Sequence, residues 1–267
     1  MIKRKKRADR IERKEKKRGM ELNYGTFLLF FGLVLLVINF LFTKIFYSGA
    51  QREINFYISL GGLFLIYIGA VLYFILSGDK PCSKSWNYIK ECKNFILFIL
   101  VVFLFSVLIA FYFQPPEVVD FIKQFIEDIL KQTQGLGTWQ MIVFILNNNL
   151  SSAFFSMIFG LILGIFPVLT AFTNGYILGF VADKVIAIEG ISVLWRLAPH
   201  GIFEIPALII SLALGTKLGF FITAGRDKIK KEFLRRLQES LRVFLFIIMP
   251  LLIIAAIIEG ILIVMVG

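Results

Sequence analysis

Phe95-Ile-Leu-Phe-Ile-Leu-Val-Val-Phe-Leu-Phe-Ser-Val-Leu-Ile-Ala-Phe-Tyr-Phe113 runs through nineteen positions without a charge, and its reading decides the fold. About 20 such residues, at 1.5 Å per residue in a helix, cover the roughly 30 Å of hydrocarbon in a bilayer. In lipid each backbone N–H and C=O must be bonded inside the protein, which leaves helices or closed barrels. Barrel strands alternate apolar and polar residues, and this run does not, so it is a helix. Similar runs lie near 25–43, 56–76, 150–166, 168–186, 199–223 and 243–265. The expectation is an all-α, polytopic transmembrane bundle of about seven crossings, with one or two interfacial amphipathic helices. Composition agrees: 58% hydrophobic residues, 30 Phe, 18% charged residues and a mean hydropathy of +0.82 lie far from soluble averages.

The net charge of +11 is unevenly placed. Residues 1–23 carry eleven Lys/Arg, the 77–94 connection four and the 225–242 connection seven, whereas 44–55, 114–138 and 184–198 carry two each. Basic residues stay in the cytoplasm when helices insert, so the expectation is a cell-membrane, multi-pass protein with a cytoplasmic N-terminus and an extracytoplasmic C-terminus. The arm from Lys3 to Arg18 reads as a polybasic stretch that touches anionic headgroups, in preference to a nucleic-acid tail. Ser48-Gly49-Ala50 offers small residues after the first run, but that run exceeds a signal-peptide core and reads as an uncleaved anchor. The expected organisation is a basic arm over 1–24, a transmembrane hairpin over 25–83 and a core over 84–267.

Two segments are amphipathic. After Pro115-Pro116, residues Val118, Ile122, Phe125, Ile126 and Ile129 fall at helical spacing opposite Glu117, Asp120, Lys123, Glu127 and Asp128, as in a helix lying at the outer interface. Between Arg226 and Arg242, Ile229, Phe233, Leu234, Leu237 and Leu241 form a stripe among Lys and Arg, suited to an anionic inner leaflet. Lys217 reads as a side chain snorkelling to the cytoplasmic interface. Cys82 and Cys92 show no zinc spacing and, in a cytoplasmic connection, predict no disulfide.

Candidate site residues gather in the C-terminal half. Gly160/Gly164, Gly175/Gly179 and Gly215/Gly219 are i, i+4 pairs on three successive runs, and small residues let helices in lipid approach closely, so they predict a tightly packed three-helix unit. Asn147 to Ser152 reads as capping residues just before the fourth crossing. Asn174 lies inside the fifth, and His200 and Glu204, four residues apart, share a face of the sixth. With Pro199 as the first helical residue, Glu204 lies roughly 7 Å into that helix. Ionisable groups in lipid are costly enough to need a reason. One reading is a mutual hydrogen bond that holds the sixth helix. The other is a polar ligand or partner site of Asn149, Ser151, Asn174, His200, Gly201, Glu204 and Glu259. No catalytic residue, metal or cofactor is expected, because zinc needs a third ligand and neither Ser151 nor Ser192 sits on a nucleophile elbow.

The run Asn147 to Asn149, Gly160, Gly164, Pro167, Asn174-Gly175, Gly179, Pro199-His200-Gly201, Glu204, Pro206-Ala207, Gly215 and Gly219 resembles the stage II sporulation protein M family over about residues 139–223. The resemblance implies a polytopic helical membrane protein in which Asn174, His200, Gly201 and Glu204 matter to the fold or site. The family's founding member is a scaffold that recruits cell-wall hydrolases in spore formers, and archaeal-type relatives occur in organisms that do not sporulate. The expected function is therefore a non-enzymatic membrane scaffold or assembly factor. A transporter or channel for a small solute or lipid, using an intramembrane His/Glu site, is the alternative. Expected partners are membrane lipids at the basic segments and a membrane protein or a second copy of the chain, without nucleic acid.

Overall fold

The computed structural model describes residues 67–69, 71, 80–191 and 194–266, with the side chains of 194–200 and 264–266 outside that description. The basic arm, the predicted crossings at 25–43 and 56–76 and the His200 side chain therefore lie outside the described residues. Contacts divide the chain into two compact units, Met1–Pro81 and Cys82–Gly267.

Among the described residues the chain is helical, without strands: α1 (Pro81–Glu91), α2 (Lys93–Tyr112), α3 (Pro116–Thr133), α4 (Thr138–Phe159), α5 (Ile165–Glu189), α6 (Leu194–Gly219), α7 (Ile229–Val243) and α8 (Met249–Val266). Five stretches are long and apolar enough to cross a membrane: Lys93–Tyr112, Thr138–Phe159, Ile165–Glu189, Gly201–Thr223 and part of Arg226–Ile263.

Local chemistry explains the breaks. Pro115 stops α2, because the residue before a proline is driven out of the helical region, and Pro116 opens α3 at a first-turn position that needs no N–H donor. Gln140 accepts a hydrogen bond from the Gly137 N–H at 3.0 Å and closes the start of α4. The α4–α5 turn depends on Gly164, whose φ of +70° is costly for any residue with a Cβ. Just before Pro250 the chain takes a wider π-turn over Phe244–Ile248. Proline has no N–H and crowds the carbonyl four residues earlier, and one extra residue per turn relieves both problems.

The core forms where α2, α5 and α6 meet. Ile99 and Phe103 pack with Ala171, Ile209, Leu212 and Ala213. The other side of α2 exposes Leu97, Val101, Leu104, Phe105 and Leu108, as a helix facing acyl chains requires. Ile122 of α3 docks on Ala110, Tyr176 and Phe180, so the amphipathic α3 caps one end of the α2–α5 pair. Its Phe121 and Phe125 remain exposed on a second apolar flank that the sequence reading did not separate. Met141 and Ile145 of α4 pack on Ala256 of α8.

Two predicted boundaries are corrected. The apolar helix expected over 150–166 is Thr138–Phe159, so Asn147 to Ser152 lie in mid-helix and cap nothing. Helix α6 begins at Leu194 and contains Pro199 in its interior, which places Glu204 about 15 Å from the helix start, not 7 Å.

Candidate functional site

Backbone contact between glycines fixes the register of the helices that carry the predicted residues. Gly160 and Gly164 are not an i, i+4 pair on one helix, because α4 ends at Phe159 and both belong to the turn. A Cβ on Gly160 would lie under 3.0 Å from the Gly215 carbonyl, and one on Gly219 equally close to Gly160 and Gly164 backbone atoms. The turn and α6 thus touch main chain to main chain. Gly175 and Gly179 instead press on Phe103, Ser106 and Val107 of α2. The three glycine pairs therefore build two separate interfaces, not one three-helix unit.

Ser211 donates a hydrogen bond to the Ala153 carbonyl at 2.7 Å, 58 residues away, and Gly215 rests on Met157 at the same offset. This parallel register sets Glu204 level with Leu146, one helical turn from Asn149. On α8, Gly260 packs against Ile142, so Glu259 lies in a neighbouring layer. Asn149, Ser151 and Glu204 are half-buried. One Glu259 carboxylate oxygen is buried without a hydrogen-bond partner. The Asn174 amide donates to Thr170 of its own helix at 2.9 Å. Thr170 approaches Ser156 at 3.3 Å, which registers α4 against α5 and sets Asn174 level with Ser152. Among the described residues a Cβ on Gly201 would meet the tip of Ile205, at 3.5 Å, an ordinary van der Waals contact.

A second polar layer, missed in the sequence, occupies the basic end of the unit. Lys217 does not snorkel into water. It is 7% exposed, and its ammonium lies 3.5 Å from Glu91, 3.5 Å from the buried Cys92 sulfur and 4.1 Å from the centre of the Tyr88 ring. Glu91 also accepts from Arg235 at 3.2 Å. Glu232 takes Arg235 at 2.9 Å and Arg236 at 2.8 Å, while Arg236 donates to the Lys217 carbonyl at 2.7 Å and satisfies one of the open carbonyls at the end of α6. Arg242, 2% exposed, pairs with Glu239. Burial pushes the Tyr88 hydroxyl and the Cys92 thiol up, the latter against the opposing pull of Lys217. Cys82 is exposed, and both cysteines are free thiols. The available clue was a lone acid at the edge of an apolar run, facing an apolar helix with one unmatched lysine.

Hydrogen bonds from Arg235 and Arg236 hold the Glu232 carboxyl down to about 2 from its ordinary 4.5. A depressed carboxyl stabilises the fold above its unfolded pKa and loses that contribution as pH falls through the folded value. Wild type should therefore melt above Glu232→Gln at neutral pH, and the two curves should converge between about 4.5 and about 2. A gap that stays constant through this window would contradict the linkage.

The family described as stage II sporulation protein M matches residues 96–262. The chain belongs to that family. It is also 32% identical over 181 residues to an uncharacterised protein of Methanocaldococcus jannaschii, covering 63% of this chain and 80% of that one. No solved structure matches. The matched segment of the stage II sporulation protein M relative spans α2 to α8 and includes both polar layers, apart from Glu91, Cys92 and the rest of α1 at its edge.

Proposed function

We propose that this stage II sporulation protein M relative is a non-enzymatic scaffold or assembly factor of the cell membrane. In this reading its N-terminus and basic end face the cytoplasm and anionic headgroups, and it holds a partner through α4. The observation that carries the reading is Asn148, exposed at the middle of a 22-residue apolar helix. Among the described residues its amide meets the neighbouring Asn149, at 3.4 Å. Phe144, Asn148, Ser151, Phe155 and Phe159 fall on one face of α4, with Ser152 beside them. A polar amide next to small residues, flanked by apolar rings, is what a second membrane helix can grip, because hydrocarbon offers no competing hydrogen bond.

A photoreactive residue placed at Phe144 in the full chain tests this. The expected product is an adduct with a second polypeptide whose yield falls about three- to thirty-fold in Asn148→Leu, as an interhelical bond of about 0.6–2 kcal/mol requires. Adducts confined to lipid or to the chain's own N-terminal crossings would sink the reading. A transporter or channel remains the second reading, because Glu259 keeps a buried oxygen without a partner near the Glu204 level. Solute flux in proteoliposomes that vanishes in a folded Glu204→Gln variant would favour it over the scaffold.

A further inference from the structure

Thirteen consecutive residues, Met157 to Leu169, run through the α4–α5 turn without a polar side chain. Connections elsewhere in the chain carry Gln114, Gln134 or Arg226-Asp227-Lys228. Ile162, Leu163, Ile165 and Phe166 of this apolar turn are nonetheless 61%, 55%, 52% and 41% exposed. Their exposure is not confined to one stripe. Ile165 and the exposed Leu169 share a face of α5, and Phe166 lies about 100° round from Ile165. A partner helix covers one stripe, whereas fluid acyl chains surround a tip.

The main chain of the turn suits that solvent. In lipid each N–H must be bonded within the protein, and non-helical backbone survives at membrane depth only where protein covers it. The six N–H groups from Gly160 to Ile165 all bond to carbonyls between Ser156 and Ile162, at 2.7–3.2 Å. Pro167, in the first turn of α5, has no N–H to satisfy. Gly160 and Gly164 are buried, because they press the turn's backbone against α6 at Gly215, Thr216 and Gly219. Lys217 lies about 200° round α6 from Gly215 and Gly219, and its ammonium goes to Glu91 of α1, so no charge is brought to the tip. Beyond this contact the chain continues through the exposed Phe220 and Ile222 before its next charge at Arg226, so apolar surface extends past the level of the tip. We infer that the α4–α5 tip is immersed in the hydrocarbon of the leaflet on the basic side, in contact with acyl chains, and does not emerge into water. The inference does not depend on the partner-binding reading of α4.

Nitroxide labels on the full chain test this, in a Cys82→Ser background labelled in detergent and then reconstituted into vesicles of phosphatidylcholine and phosphatidylglycerol. Ile162→Cys and Phe166→Cys place labels at the tip. Val101→Cys, on the exposed face of α2 midway along it, is the lipid reference, and Lys230→Cys, exposed on α7, is the aqueous one. The background without an added cysteine reports any reaction at the buried Cys92. Molecular oxygen concentrates in hydrocarbon, and a neutral nickel chelate stays in water. Both tip labels should be relaxed several-fold more by oxygen than by the chelate, as at Val101, with the reverse at Lys230. Relaxation dominated by the chelate at the tip would place the turn in water and overturn the inference. Weak relaxation by both agents would mean that protein covers the tip, whether another part of the chain, a second copy or a different polypeptide, and would overturn it equally. Size-exclusion elution shows which variants fold, and either tip position alone suffices for the comparison.

Discussion

Gly219→Ala should abolish the monodisperse, folded protein, and Gly160→Ala should do nearly as much. An added methyl at either position would sit under 3.0 Å from main-chain atoms across the α6–turn contact. A flexible side chain can move aside, but a carbonyl or amide fixed in a helix end or turn cannot. Overpacking usually costs about 1–3 kcal/mol, and rigid backbone neighbours place these two sites at or beyond the upper end. Gly201→Ala is the internal control: among the described residues it meets the tip of Ile205 at 3.5 Å, and alanine suits a helix better than glycine by about 1 kcal/mol. Size-exclusion profiles and melting curves of the three variants check the contrast. Gly219→Ala behaving as wild type would mean that α6 and the turn are not in backbone contact.

Glu91→Gln should be the second most damaging change, although half of the Glu91 side chain is exposed. The damage falls on Lys217, whose side chain is 8% exposed and which would lose its acid beside a thiol and an aromatic ring. Stranding one member of a fully buried pair costs about 3–5 kcal/mol. Water around Glu91 reduces this to about 1–3 kcal/mol. Lys217→Met should cost less, since its surroundings are largely apolar. Once that change is made, adding Glu91→Gln should do little further harm. Melting curves of the two single variants and the double variant measure this asymmetry, and equal, additive losses would refute it.

The helical class was legible because an uncharged run such as Phe95 to Phe113 admits one structure in lipid. The amphipathic α3 and α7 were legible from their spacing. The α4 boundaries were not, because Asn147 to Ser152 lowers hydropathy as a loop would, while Leu161 to Phe166 is apolar enough to pass for helix. The positive φ at Gly164 that ends the ambiguity leaves no trace in composition. Pro199 misled for a related reason: it can start a helix, but α6 carries it internally. Among site residues, the helix assignments of Asn174, Glu204 and Glu259 followed from sequence. The pairing of Lys217 with Glu91 did not, because 126 residues separate them and no local period links them.

The π-turn at Phe244–Ile248 joins two requirements that a regular helix would not meet together. One surplus residue swings everything beyond it by about 100°. Upstream, Ser240 and Arg242 must look inward at the basic end. Downstream, Gly260 must look toward Ile142. The surplus residue before Pro250 thus lets the basic end and the Gly260–Ile142 contact both face the interior along one continuous rod.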